Sequence, residues 1–234
     1  MFLLLSKLVT TAREAGAFAR QALLLPRDVL APVVPAGVEP DDHVVVLLHG
    51  LFATAGVLRP LRQRIERHRR IRAATLSYPP GPGAVTIGKR LEALLDRLPE
   101  RCSVHLLGHS LGGIVARHYA LTVEDPRIVS TIALAAPFGG VPAAAALPGG
   151  FEWARDLDPD SPVLRIIRLT QATREIPHLS ITAGGDVLAS SSQSHALPYG
   201  DHVVIDGIGH NTILFDPGAM DHVERRVLSL MAMR

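Results

Sequence analysis

Cysteine is almost absent from this chain: Cys102 is the only one among 234 residues. An intramolecular disulfide is therefore excluded, and a lone thiol before a strand says little about compartment. Excess charge is missing too. The formal charge is +2, which gives no reason to expect a nucleic-acid partner. The densest basic run, Arg62 to Arg72, closes a predicted helix and reads as a solvated face. Long apolar runs are also lacking. Although 47% of residues are hydrophobic and the mean hydropathy is +0.24, no run reaches the eighteen or more that a spanning helix needs. There is no internal repeat, no low-complexity segment beyond the Ala-rich patch Ala143–Ala146, and no clustered acidic loop to nominate a metal site. Aromatics are few, with six Phe, three Tyr and one Trp, so where they gather carries information.

What is present is alternation. Val44–Leu48 is a continuous apolar run, as expected of a strand buried on both faces of a parallel sheet. Further strands are predicted at Ala73–Ser77, Val104–Leu107, Val129–Ala135, Leu179–Thr182 and Val203–Ile205. Helical patterns fall around Gly56–Arg69, Val85–Leu98 and Ile114–Thr122. A last helix is predicted near Pro217–Met231, with Pro217 in its first turn and Asp216 as its cap. The β–α rhythm argues for one doubly wound sheet over residues 43–234, and the length fits a single such domain with ample core. Before it, residues 1–42 read as an amphipathic helix followed by a Pro-rich linker (26–42). Leu4, Leu5, Leu8, Val9, Ala12, Ala15, Ala19, Ala22 and Leu23 recur at helical spacing. That helix is read as docked on the domain or on a second copy, or as lying on a membrane surface. No basic region precedes Met1–Leu5 and no cleavage site follows, so no secretory leader is read. A cytoplasmic location is the expectation, with membrane association left open.

One interval breaks the rhythm. About forty residues separate Pro137 from Pro177, more than one helix and its loops require. Phe138, Phe151, Trp153, Leu164 and Ile167 lie in it. A crossover with an extra helix would account for the length. A cap (138–177) over an apolar pocket would account for both length and composition, since long excursions in compact domains are usually functional.

The chemistry points to Gly108-His109-Ser110-Leu111-Gly112-Gly113. A serine between a buried strand and a helix sits on a strained turn that lifts its hydroxyl out of the sheet, and small flanking residues let strand and helix approach. A serine hydroxyl needs a base within hydrogen-bond reach, and the base needs an orienting acid. In a parallel sheet both should stand in loops at carboxyl ends of strands. Of eleven histidines, His43, His105 and His202 lie in strands, and His68, His118 and His222 in helical patterns. His210 follows the last strand through Gly207-Ile208-Gly209 and is the candidate base. Asp186 follows Leu179–Ala183 through two glycines and is the candidate acid. Asp206 is its main rival, and Asp201 and Asp216 read as turn and cap residues. Two backbone N–H groups should hold the oxyanion. Leu111, after the nucleophile, and Leu51, in the His49-Gly50-Leu51-Phe52 loop after the first strand, are in position to supply them.

In this order the motifs resemble the α/β-hydrolase family, in its bacterial lipase and esterase branch, over roughly residues 43 to 230. His49-Gly50-Leu51-Phe52 is similar to the family's oxyanion loop and Gly108–Gly113 to its elbow. Gly184-Gly185-Asp186 and Gly207-Ile208-Gly209-His210 complete the pattern. Ala135–Gly140 is similar to the segment after the next strand, with Phe138 where the family usually has His, and Asp158–Leu164 is similar to a lid segment. The resemblance implies an α/β-hydrolase fold: a mostly parallel sheet, helices on both faces and a cap insertion. It also implies a serine carboxylester hydrolase acting on lipid or other apolar acyl esters, with no cofactor and no metal required. Some lipases hold a structural calcium. Phe52, His109, Phe138, Phe151, Trp153, Leu164 and Ile167 are the pocket candidates. An acyltransferase, thioesterase or lysophospholipase would use the same residues. A non-catalytic lipid-binding protein on the same scaffold is the remaining alternative. Oligomeric state is not legible.

Overall fold

The structure, a computed structural model, describes residues 2–28, 33–145, 150–169, 175–187 and 196–233. Six strands form one sheet: β1 (His43–Leu48), β2 (Ile71–Leu76), β3 (Ser103–His109), β4 (Ile128–Leu134), β5 (His178–Ala183) and β6 (Asp201–Ile205). Their spatial order is β2-β1-β3-β4-β5-β6, and every pairing is parallel. All six predicted strands are present, each displaced by at most two residues at an end.

Alternation along each strand divides the core in two. Val44, Val46 and Leu48 of β1 enter one apolar cluster with α3 (Ala84–Leu95) and α4 (Leu111–Thr122). Val45 and Leu47 enter the other, with α2 (Arg59–Ile65) and α8 (Pro217–Met231). That division is the doubly wound arrangement, and it explains why central strands read as unbroken apolar runs. The sheet edges are handled differently. Val33 forms an antiparallel bridge with Thr75 along β2, exchanging bonds of 3.0 and 2.9 Å. β6 is the exposed edge, short and partly polar, which limits unwanted pairing.

Helix boundaries follow local chemistry. Asp216 accepts from the Ala219 amide at 2.9 Å, with Pro217 opening α8, as the sequence predicts. The basic run that ends α2 is solvated at Arg67, Arg69 and Arg70, as expected, but two of its members pair with α8. Arg64 binds Glu224 on α8 at 2.7 Å and also meets Asp221, and His68 meets Glu224.

The expected cap resolves into packed helices over the described part; residues 146–149 and 170–174 lie outside it. α5 (Pro142–Ala145) is followed by α6 (Glu152–Asp156) and α7 (Pro162–Leu169). α7 packs on α4, and α6 reaches α3. Glu152 and Asp156 accept from the Gly83 and Ala84 amides at 2.9 and 2.6 Å, capping α3. Much of the interval therefore covers the sheet as a crossover layer. This is why α4, enclosed by sheet, α3 and α7, is buried on every face from Leu111 to Ala120.

The N-terminal helix α1 (Phe2–Leu24) is docked on the domain, not detached from it. Of the linker, residues 29–32 lie outside the described set, as do the side chains of Leu4, Leu5 and Leu8.

Strand β1 and helix α4 meet without any side chain between them at Gly112. A Cβ there would stand 2.3 Å from the Leu48 carbonyl oxygen and 2.6 Å from that of His49. Because both obstacles are backbone, Gly112→Ala is expected to cost about 2 kcal/mol or more by overpacking. Urea unfolding should show the midpoint falling, whereas an unchanged midpoint would mean the helix can slide outward freely.

Candidate active site

β3 runs straight into the turn that carries Ser110. His109 ends the strand, Leu111 begins α4, and Ser110 between them adopts φ 52° and ψ −120°. A side chain at positive φ is strained and persists only where its surroundings enforce it. Here they do. The Ser110 amide donates to Leu134 O of β4 at 2.9 Å, and the Gly113 amide returns to Ser110 O at 2.9 Å. A Cβ on Gly108 would lie 2.1 Å from the Gly112 backbone, and one on Gly113 would lie 2.6 Å from Ala136 Cβ. Glycine at these positions allows the turn to close tightly. Leu111, buried at the start of α4, contributes one of the N–H groups that a helix leaves unpaired at its positive end.

Two loops at neighbouring strand ends bring in an acid and an imidazole. His210 Nδ1 lies 2.6 Å from Asp186 Oδ2, with both side chains almost fully enclosed. The loops are joined through backbone as well. Gly184 N donates to Ile205 O at 2.8 Å and Gly185 N to Ile208 O at 2.9 Å. The rival acids make other contacts. Asp206 packs over Gly184, Asp201 meets Arg226, and Asp216 caps α8.

His109 connects this pair to the elbow. Its Nε2–H donates to the His210 carbonyl at 2.9 Å, and the two rings are 4.9 Å apart. Burial, and secondarily the proximity of His210, pull its pKa down to about 3. The ring is therefore neutral, with its proton on Nε2, and acts as a fixed donor.

The loop after β1 is held by a second buried histidine. The Tyr78 amide donates to His49 Nε2 at 3.1 Å, so that nitrogen bears no proton, and Nδ1–H donates to Gly50 O at 2.7 Å. The Tyr78 ring stacks on the imidazole with centroids 3.9 Å apart, and its hydroxyl donates to His49 O. Burial lowers the His49 pKa to about 4 and pushes the Tyr78 hydroxyl well up. One consequence is directional. In a trans peptide the N–H points opposite the C=O, so drawing the Gly50 carbonyl toward the His49 ring turns the Leu51 amide away from it. The Gly50 backbone itself faces the elbow: a Cβ there would be 3.1 Å from Ser110 Cβ.

The sequence model of the alpha/beta hydrolase family matches residues 45–205. The chain belongs to the alpha/beta hydrolase family. Among solved structures, this hydrolase is similar to a metagenomic carboxyl esterase, at 15% identity and TM-score 0.64, covering 86% of this chain and 77% of that one. It is also similar to an esterase of Pyrobaculum calidifontis, at 16% identity and TM-score 0.60, covering 97% and 93%. A Bacillus licheniformis lipase in mature form matches at 13% identity and TM-score 0.55, covering 86% and 97%. At these identities the likeness is one of fold. No curated protein matches the sequence.

The pocket candidates separate into three groups. Phe52, Phe151 and Trp153 come together beside the Leu51 loop. Phe52 meets Trp153 edge-on at 6.1 Å, and Trp153 stacks on Phe151 at 5.9 Å. Phe52 is 68% exposed at φ 55° and Phe151 46% exposed, whereas Trp153 is buried, so two open rings rest on a buried one. Phe138, Leu164 and Ile167 require correction. All three have no exposed surface. They fill the core beneath α4, with Phe138 edge-on to His178 at 5.5 Å. Apolar character alone did not distinguish a core position from a pocket wall. His109 belongs to neither group, since it lies under the site as a donor.

Sequence reasoning missed Tyr78, whose only signal is its position two residues past β2 beside the β1 loop. It also missed Glu14, for which no local signal exists. The other histidines occupy structural positions. His43 and His105 are 2.8 Å apart, His105 reaches Ser130 at 2.7 Å, and His178 reaches Thr131 at 2.7 Å. Among the described residues no group of metal-ligating side chains occurs.

Burial holds His49 and His109 below their ordinary pKa, and it also lowers His118 and His178. The unfolded chain therefore binds more protons than the folded one below the ordinary histidine value near 6.5. Stability is complete above that value and lost as pH falls toward about 4. Unfolding free energies measured by urea titration should decline across this window, before the carboxylates protonate. A flat profile down to pH of about 5 would contradict the neutral, buried state of these rings.

Proposed function

We propose that this hydrolase is a serine carboxylester hydrolase of lipase or esterase type. The observation that carries the reading is the 2.6 Å hydrogen bond between His210 and Asp186, made beside a serine held at positive φ at the head of a helix. An imidazole whose Nδ1–H is bound by a carboxylate keeps Nε2 as its basic nitrogen, the state a hydroxyl nucleophile needs. The structural neighbours, two esterases and a lipase, support the same class of chemistry.

In this mechanism Ser110 Oγ attacks the ester carbonyl carbon while His210 Nε2 takes its proton. The resulting oxyanion is held by the Leu51 and Leu111 amides, a preorganised pair that needs no reorientation as charge develops. Collapse of the tetrahedral intermediate breaks the C–O bond, and His210 returns the proton to the leaving alcohol. Water then attacks the acyl-enzyme, with His210 again as base, and the acid departs as Ser110 recovers its proton. Asp186 orients His210 and stabilises the imidazolium. No step requires a metal or organic cofactor.

The exposed rings of Phe52 and Phe151, backed by buried Trp153, favour an apolar acyl or alkyl group over a charged one. Rings that present both surface and edge supply contact area with little entropy to lose. A lipid or other apolar ester is the substrate class that follows.

Ser110→Ala is expected to lower kcat on p-nitrophenyl esters by at least about 10³-fold with the fold retained, and Asp186→Asn by about 10⁴-fold through loss of the required tautomer. Turnover surviving Ser110→Ala would overturn the mechanism. Phe52→Ala should leave short-chain turnover near wild type while raising KM for longer acyl chains several-fold. A chain-length profile unaltered by that substitution would remove the aromatic face from substrate binding.

A further inference from the structure

We infer that Glu14, on the N-terminal helix, is a positioning residue for His210, so that α1 is a working part of the acid–base site. The inference rests on the serine hydrolase reading given above.

The Glu14 carboxylate is fully engaged by the two residues that follow His210. Oε1 accepts from the Asn211 amide at 2.7 Å and from Asn211 Nδ2 at 2.7 Å. Oε2 accepts from the Thr212 amide at 3.0 Å and from Thr212 Oγ1 at 2.8 Å. On the other side of His210, a Cβ on Gly209 would lie 2.4 Å from Glu14 Oε2. The backbone on both sides of His210 is therefore pressed against one carboxylate. Gln21 adds a bond to Asn211 Oδ1 at 2.7 Å, and Arg13 one to Gly207 O at 3.3 Å.

The same helix also backs the acid's loop. A Cβ on Gly185, next to Asp186, would lie 2.8 Å from Thr10 Cγ2. Thr10, Glu14, Ala17 and Gln21 fall at i, i+4, i+7 and i+11, on one face of α1, with Ala17 buried in the contact. One rigid face thus registers both loops that meet in the His210–Asp186 bond.

Charge and geometry both favour this assignment over simple anchoring. Hydrogen bonds to an ionised carboxylate are shorter and about twice as strong as neutral ones. They act where the segment 206–211, which has no helix or strand of its own, enters the short 3-10 helix Thr212–Leu214. Without Glu14 the Asn211 and Thr212 amides turn to water, and the imidazole loses its reference point. A displacement of about 1 Å at a general base costs on the order of 10²-fold in rate. α1 and His210 both lie outside the stretch matched by the family, residues 45–205.

The test compares Glu14→Ala with Arg20→Ala in the full chain. Arg20 sits on the same helix and rests over the Phe215 ring at 4.4 Å, so it contributes to docking α1 without touching the His210 loop. Four quantities are read for each: Tm, kcat and KM on a p-nitrophenyl ester, and the low-field proton resonance of the His210 Nδ1–H. Glu14→Ala is expected to lower kcat by about 10- to 100-fold, to leave KM within about twofold, and to shift or broaden that resonance. Arg20→Ala is expected to lower Tm and to leave kcat and the resonance near wild type. An unchanged kcat and resonance in Glu14→Ala would overturn the inference. So would an equal fall in kcat for the two variants at equal loss of Tm, because α1 would then act through stability alone. Should Glu14→Ala fail to fold, Glu14→Gln decides. It keeps one acceptor oxygen, so an intermediate kcat supports the assignment and a wild-type kcat and resonance overturn it. Ser110→Ala, run in parallel, separates the two claims: activity persisting there defeats the serine mechanism, while the resonance reports on the Glu14 clasp whatever the reaction.

Discussion

Everything at the site depends on how closely a strand, a helix and a turn can approach one another around Ser110. The hydroxyl is presented because its residue is held at positive φ, and that conformation is enforced by contacts too short for any side chain. Gly112 lies against the Leu48 carbonyl and Gly113 against Ala136, while Gly108 closes onto the Gly112 backbone. The strain at Ser110 is offset by the packing of two apolar clusters on either face of the sheet, which leaves the turn no room to relax. The candidate site and the core packing are therefore not separable here, since the contacts that close the turn are also contacts of the core.

Around that turn, orientation is set by neutral buried histidines. His49 donates to the carbonyl of Gly50 and accepts from Tyr78, and His109 donates to the carbonyl of His210. Each fixes a peptide group in the loop that it serves. Burial is what makes them suitable, because desolvation keeps the rings uncharged and their donor and acceptor sides constant across the neutral range. His210 is the contrasting case, held by a carboxylate instead of a carbonyl. Three histidines near one serine thus have different duties, and each duty follows from what the ring's partner is.

The strands and the parallel character of the sheet were legible because both are written locally. Val44–Leu48 is apolar without interruption because it is covered on two sides, and the GHSLGG stretch combines small residues with a strand before and a helix after. Asp186 and His210 could be picked out by chain order alone, since loops at carboxyl ends of parallel strands converge. The interval 138–177 was less legible. Phe138, Leu164 and Ile167 are as apolar as Phe151, and nothing in the residues says which will be buried in the core and which will face the open surface. Core and pocket impose the same composition, and only packing separates them.

The amino-acid sequence by itself determined the elements, the parallel sense of the sheet and the loops in which Ser110, Asp186 and His210 stand, because periodicity and succession along the chain encode these. Only the tertiary structure decided which aromatics remain exposed, which way the Gly50–Leu51 peptide faces and where α1 docks. The contact between Glu14 and Asn211 spans 197 residues. No spacing rule connects such positions, and the carboxylate acquires its partners only when the finished sheet brings the last loop under the first helix.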